Sequence, residues 1–500
     1  MSINEQLQEA LSAKALLAEQ VSQLKQQLAW FKHQMYGRSS ERHAREEISP
    51  DQARLFDEAE VLAVIVPDAP ERATLTAPAR KPGRKKLAAD LPRVALTHDL
   101  SAEQKICPHD GTQLERIGEE TSEQLDMVPG KVRVLQHIRP KYSCPCCKTG
   151  VTIAPLPAQI LPKSSASPAL LAHIVTAKYV DAVPLYRQEQ QLSRYGVELS
   201  RATMAAWMVK LGTQSLIPMV NLLNEQLMGH SLVHMDETPV QVIKSEKTEH
   251  YMWVRAGGPS GRRIILFDHD PSRGGAVPRR LLEGYKGTLL TDGYEAYGAV
   301  AEAYGLTHAG CWAHARRCFE EARKAQPDPE STSHSRTALD YIGRLYLIER
   351  EIKTLEPEAR ANARAKRSSV IIADFRAWLD ALAATMLPKS LLGKAVRYTL
   401  NQWSKLTVFL EHPDVPLDNN RVENAIRPFV LGRKNWLFSD THAGATASAN
   451  LYSLIETAKA NGLEPHAYLS HLFAELPKAT ALDHFEALLP WNVKPVLVQH

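Results

Sequence analysis

Five hundred residues exceed what one hydrophobic core holds, and 44% hydrophobic with 23% charged residues is an ordinary globular composition. Several domains are expected and disorder throughout is excluded. The formal net charge of +4 is too small to mark a nucleic-acid binder, so local clusters of basic residues must carry that argument. The polar, glutamine-rich start has neither the basic flank nor the apolar core of a secretion signal, and no run approaches about eighteen uninterrupted apolar residues, so a cytoplasmic protein without membrane contact is expected.

From Ile3, apolar residues recur in steps of four and three at Leu7, Ala10, Leu17, Val21, Leu24, Leu28, Phe31 and Met35, with Lys14 in one apolar slot. This predicts a coiled coil over 1–36 and a homo-oligomer; one polar seam residue fixes register at some cost in stability. The alternative is a single amphipathic helix packed on its own domain. Gly37 ends the pattern, and 37–96 reads as a linker whose basic run RKPGRKK at 80–86 is either solvated or grips phosphate.

Residues 97–160 read as a zinc-binding module. Cys107 opens CPHDG, and KYSCPCCKTG later supplies Cys144, Cys146 and Cys147, with strand-like alternation at Val132, Val134 and His137 between them. Two such knuckles suit tetrahedral Zn²⁺, which takes thiolate and imidazole ligands. The expected ligands are Cys107, His109, Cys144 and Cys147. Asp110 stands where a second cysteine would complete the first knuckle, which leaves Asp110 or His137 as alternatives to His109.

Residues 161–228 read as a helical, helix-turn-helix-like domain. One helix begins at Pro168, one follows Pro184 and ends near Gly196, and a third is capped by Ser200. In a helix-turn-helix the first turn of the last helix enters the major groove, which would bring Arg201 and Thr203 to base edges. A helical bundle linking domains is the plain alternative.

From 231 the pattern turns to strands: SLVHMDETPVQVI, HYMWVRA and RRIILFDHD, then a helix, LLTDG and a helix, then LTHAG and another helix. That order is the order of a ribonuclease H-like fold, in which the first and fourth strands lie side by side. Asp236 on the first strand and Asp292 at the end of the fourth would then converge. Phosphodiester cleavage needs an activated oxygen and a neutralised leaving oxygen, which two Mg²⁺ or Mn²⁺ ions on carboxylates supply. Glu237 should point to the opposite face, since strand side chains alternate. Asp268 and Asp270 compete as ligands. A third ligand is expected from PLDNNRVENAIRPFVLGRKNWLF, where Asn420, Glu423, Asn424 and Arg427 share a helical face. There Glu423 is the candidate and Asp418 the fallback; the competing explanation is an Asn420 cap with Glu423 in a capping box and a Glu423–Arg427 ion pair four residues apart. Arg427, Arg433 and Lys434 are expected on the DNA backbone, and Trp436 on a base or hairpin end.

The catalytic domain therefore reads as 229–312 and 412–438, interrupted by an all-helical insertion at 313–411 and followed by a helical region at 439–500. In CWAHARRC, Cys311 and Cys318 lie seven apart with His314 between them; a second metal site is conceivable, but packing with phosphate contacts from Arg316 and Arg317 is favoured. The whole is a multidomain α+β chain.

The segments YGRSSER, GEETSEQLDMVPGKVRVLQHIRPKYSC, KYVDAVPLYRQEQ, HMDETPV, LLTDGYEAY, GCWAHARR and DNNRVENAIRPFVLGRKNWLFSDT together resemble the insertion-sequence-66 family of transposases over nearly the whole chain. The resemblance implies a DDE-type catalytic triad falling on Asp236, Asp292 and Glu423, an upstream zinc module, and Mg²⁺-dependent cleavage and strand transfer at terminal inverted repeats. It also implies action on target DNA in a bacterial, nucleoid-associated setting, with accessory proteins of the same element as partners. The family commonly carries Cys-x-x-Cys in the first knuckle, from which Asp110 departs. The rival expectations are a non-catalytic zinc-containing DNA-binding regulator and a ribonuclease H-like nuclease that does not join ends.

Overall fold

The computed structural model describes residues 130, 132–142, 152–325 and 333–493. The coiled-coil seam at 1–36, the linker at 37–96 and the zinc ligands Cys107, His109, Cys144 and Cys147 lie outside the described residues. The chain divides into two units, and of the described residues 130 and 132–138 fall in one and the rest in the other. In the smaller unit the alternation at Val132 and Val134 does not produce a strand among the described residues, and both side chains are exposed. In the larger unit, β1 (Lys141–Tyr142) pairs antiparallel with β2 (Thr152–Ile153).

Three helices follow where the sequence places them. The first, α1 (Pro168–Tyr179), starts with proline and is capped by Ser167, whose Oγ accepts from Leu170 N at 3.2 Å. The second, α2 (Leu185–Arg194), is followed by Gly196 at φ 76°, a conformation that glycine adopts without strain. Ser200 caps α3 (Arg201–Lys210), accepting from Thr203 N at 3.2 Å. A π turn at Leu211–Ser215 then leads into α4 (Ile217–Met228).

The central sheet is built from β3 (Leu232–Gln241), β4 (Glu249–Gly257), β5 (Ile264–Asp270), β6 (Thr288–Thr291) and β7 (Thr307–Gly310). Helices α5 (Ala276–Leu281) and α6 (Glu295–Tyr304) fall before and after β6, as the pattern of strands and helices predicts. The strand order is β5-β4-β3-β6-β7, with β3 antiparallel to β4 and parallel to β6. The first and fourth strands of the sheet are therefore neighbours.

Adjacent residues on one strand face opposite sides, so the sheet divides two cores. Leu289 packs in a core with Val233, Met235 and Phe267, whereas Leu290 packs with Trp312, Phe319 and Phe375. The second core belongs to the helices inserted after β7: α7 (Trp312–Lys324), α8 (His334–Ile352), α9 (Pro357–Ala363), α10 (Ser369–Thr385), α11 (Leu391–Asn401) and α12 (Trp403–Leu406). The basic segment at 360–367 serves this layer's own structure. Buried Arg364 pairs with Glu349 at 2.7 Å and donates to the carbonyls of Phe409, His412 and Val415, while Arg367 pairs with Glu351.

The chain returns to the first core through α13 (Asn420–Trp436), which buries Val422, Ile426 and Phe429, and then α14 (His442–Ala460), α15 (Pro465–Glu475) and α16 (Leu482–Ala487). The π turn after α3 lies directly on α14: a Cβ at Gly212 would meet the Ala447 backbone at 2.5 Å, so only glycine permits that approach.

Candidate active site

The parallel register pairs Leu232 with Thr288, Val233 with Leu289 and His234 with Leu290. Continued by two residues, it sets Asp236 opposite Asp292, just beyond the last residue of β6. Both carboxylates then share the face of His234 and Leu290, the side toward the inserted helices. The Asp236 carboxylate accepts from Glu237 N at 2.8 Å, and that of Asp292 from Tyr294 N at 3.0 Å. Gly293 keeps this turn open, since a Cβ there would meet the Tyr398 ring at 2.9 Å.

Glu423 reaches the cluster from the first turn of α13 and is buried. The capping-box alternative does not hold. Helix α13 begins at Asn420, so the cap is Asn419, and its side chain makes no cap bond. Asn419 turns inward instead: its Oδ1 lies 3.0 Å from His234 Nδ1, and its Nδ2 donates to Met235 O at 3.0 Å. Since the amide nitrogen is committed to Met235, Oδ1 accepts and His234 carries its proton on Nδ1. The Asn419 N–H also donates to Cys311 Sγ at 3.3 Å, and its carbonyl accepts from Glu423 N at 3.2 Å. One buried amide thus ties β3, the start of α7 and the start of α13 together.

Burial, joined by the nearby charges of Glu237, Asp292 and Glu423, pushes Asp236 well above the usual carboxylate range. That is the electrostatic signature of buried anionic groups crowded together. Glu237 takes the other face, as alternation predicts, where Arg273 pairs with it at 2.8 Å and the Tyr297 hydroxyl donates to it. Burial and Asp292 still raise it, so its charge is felt across the strand edge. Asp268 and Asp270 are committed elsewhere, to Arg255 at 3.0 Å and Arg280 at 3.1 Å, and neither figures among the charges that raise Asp236. Asp418 accepts from Asn420 N at 3.2 Å in a turn.

The residues expected on DNA lie on three helices, α3, α7 and α13. Arg201 and Thr203 are exposed at the start of α3, and Arg201 N donates to Glu189. Arg316 and Arg317 are half-buried on α7, and Arg427 is half-buried on α13. Lys434 is exposed, whereas Arg433 donates to the carbonyl of Pro239. Trp436, expected to stack on a base or hairpin end, is half-buried. Its ring packs edge-on against Phe429 at 5.6 Å with the Lys178 ammonium 5.1 Å from its centre, because the helix face that carries it also faces the first core. Asn419 and His234 escaped notice in the sequence; the run DNN ahead of Glu423 was the available signal for the first.

Comparison with known families places matches along most of the chain. The model described as Transposase IS66 family matches residues 163–447, and the zinc-finger binding domain of transposase IS66 matches 104–148. The IS66 C-terminal element matches 453–491, and Transposase C of IS166 homeodomain matches 23–95. Similar curated proteins include uncharacterized proteins of Sinorhizobium fredii (strain NBRC 101917 / NGR234). Protein y4jD is 32% identical over 499 residues, covering 96% of each chain. Protein y4qI is 33% identical over 497 residues, covering 95% of this chain and 90% of its own.

Proposed function

The chain belongs to the Transposase IS66 family, and from that premise we propose that it cleaves DNA at the terminal inverted repeats of an insertion sequence and joins the freed 3′-hydroxyl to target DNA. The observation that carries this reading is the register that sets Asp236 opposite Asp292, with buried Glu423 near enough that its charge, like those of Glu237 and Asp292, adds to burial in raising Asp236. The sheet order β5-β4-β3-β6-β7 supports a ribonuclease H-like catalytic core with a helical insertion.

The family's transposase domain implies a divalent metal and its zinc-finger domain implies zinc. Three carboxylates, one pushed toward its protonated form by burial and by the charges of Glu237, Asp292 and Glu423, are a donor set that fits hard divalent cations. Asp236, Asp292 and Glu423 would hold two Mg²⁺ or Mn²⁺ ions, which supply activation of the attacking oxygen and neutralisation of the leaving one. Asn419 fixes Glu423 relative to Asp236, and Arg273 with Tyr297 holds Glu237 back on the opposite face. Arg201, Thr203, Arg316, Arg317, Arg427, Arg433 and Lys434 are the proposed DNA contacts. Zinc is proposed on Cys107, His109, Cys144 and Cys147, self-association through 1–36, and small proteins of the same element as partners. Among the described residues no helix is long and apolar enough to cross a membrane.

The test is Asp236→Asn with terminal-repeat DNA and Mg²⁺. The variant is expected to bind the repeats with wild-type affinity and neither to cleave nor to join them. Joining at the wild-type rate would overturn the triad, and cleavage without joining by the wild-type chain would make it a nuclease.

A further inference from the structure

Ligand atoms of Cys311, His314 and Glu423 all lie within 4.8 Å of one another, a spacing no other group of three reaches among the described residues. His314 Nδ1 is 3.9 Å from Glu423 Oε1. Cys311 immediately precedes α7 and His314 sits in its first turn, so a three-residue step sets both on one side of the helix start. Glu423 comes from a different helix, and the N–H of Asn419 to Cys311 Sγ locks the two helix starts together. Cys318, two turns further along α7, is not in the group.

A cysteine and a histidine three apart at a helix start commonly do no more than pack. Here a buried carboxylate from a second element meets them, with its ligand atom within 4.8 Å of theirs. Thiolate, imidazole and carboxylate are the three donor types of zinc, and sulfur disfavours Mg²⁺. A backbone N–H directed at the sulfur is the kind of outer bond that orients a thiolate ligand.

We infer that Cys311, His314 and Glu423 form a binding site for one zinc-type divalent cation, with a fourth position open to water or a DNA phosphate oxygen. The inference rests on the proposed catalytic reading insofar as it shares Glu423, but its donor set is distinct from the carboxylate trio. As the sulfur–metal bond forms, the Cys311 thiol releases its proton to solvent. The bound cation neutralises Glu423 beside Asp236.

The test is zinc content per chain by elemental analysis of the full-length protein after zinc loading and removal of free metal. Cys311→Ala and His314→Asn are each expected to hold one equivalent less than wild type, and Cys318→Ala the wild-type number. In Co²⁺-loaded protein, the wild type minus Cys311→Ala difference spectrum should show thiolate-to-cobalt charge transfer. Equal zinc content in wild type and both variants overturns the site; should Cys311→Ala fail to fold by circular dichroism, the half-buried His314→Asn decides it. Asp236→Asn keeps this zinc. An active Asp236→Asn that retains it would therefore sink the catalytic reading alone, and an inactive one alongside zinc-replete Cys311 and His314 variants would sink the zinc site alone.

Discussion

Asn419 joins the two parts of the carboxylate cluster without contributing a charge. Three of its hydrogen bonds reach His234, Met235 and Cys311, and it is fully buried. Asn419→Ala removes the two side-chain bonds and leaves a buried imidazole N–H and a carbonyl to be paired anew, at about 1–3 kcal/mol for each. Urea unfolding should register that loss, and strand cleavage should fall further than stability alone explains, because Glu423 is no longer fixed against Asp236. An unchanged unfolding midpoint would show that Asn419 does not hold the junction. Such a role was hidden in the sequence. Local pattern placed the helix cap at Asn420, which made Glu423 look like a capping partner; the true cap lies one residue earlier and spends its amide on a strand 184 residues away. Asp236 and Asp292 were legible because strand register is regular and their separation matches it. Glu237 was assigned to the correct face, but alternation says nothing about charge reaching Asp292, which lies beyond the end of its strand.

A sheet edge must be covered or it recruits other strands. Here α14 does so along β5 with side chains in place of a neighbouring strand. Thr457 Oγ1 accepts from Ile265 N at 3.0 Å and donates to its carbonyl at 2.9 Å. Ser453 Oγ accepts from Phe267 N at 2.8 Å, and Asn461 exchanges bonds with Arg263 at 3.0 and 2.7 Å. The match is geometric: four helical residues advance about 6 Å and two strand residues about 6.6 Å, so side chains four apart meet alternate strand residues. Thr457→Val keeps the shape and removes both bonds, leaving the Ile265 N–H buried and unpaired. It should cost about 1–3 kcal/mol in urea unfolding, with Thr457→Ser close to wild type; equal midpoints for Val and wild type would show that the ladder contributes nothing. The sequence predicts a helical region at 439–500, but polar residues spaced four apart look like an exposed face. Their burial follows from a strand elsewhere in the chain.

Across the whole molecule, two sets of buried titratable groups respond to pH with opposite sign. Burial and the neighbouring Arg421 push His234 from 6.5 down to about 3, and burial with His442 and His250 does the same to His269. Both are neutral when folded, so below about pH 6.5 the unfolded chain binds protons that the folded one refuses. Their contribution to stability is complete above that pH and is lost as pH falls toward 3. Asp236 behaves in the opposite way. Its raised value means that the cation-free fold is stabilised by keeping the proton, and this contribution is lost as pH rises through the folded pKa. A divalent cation takes the deprotonated form and competes with that proton, so its binding tightens with pH and stabilises the fold by mass action. Thermal unfolding should therefore show a gap between Mn²⁺-loaded and metal-free protein that widens from pH 6 to pH 8, on top of a loss of stability in both below about pH 6. In Asp236→Asn the widening should shrink or vanish while the acid-side loss remains, since the histidines are untouched. A gap that stays constant with pH in the wild type would mean that the cation does not displace a proton from Asp236, and that the carboxylate cluster is not where it binds.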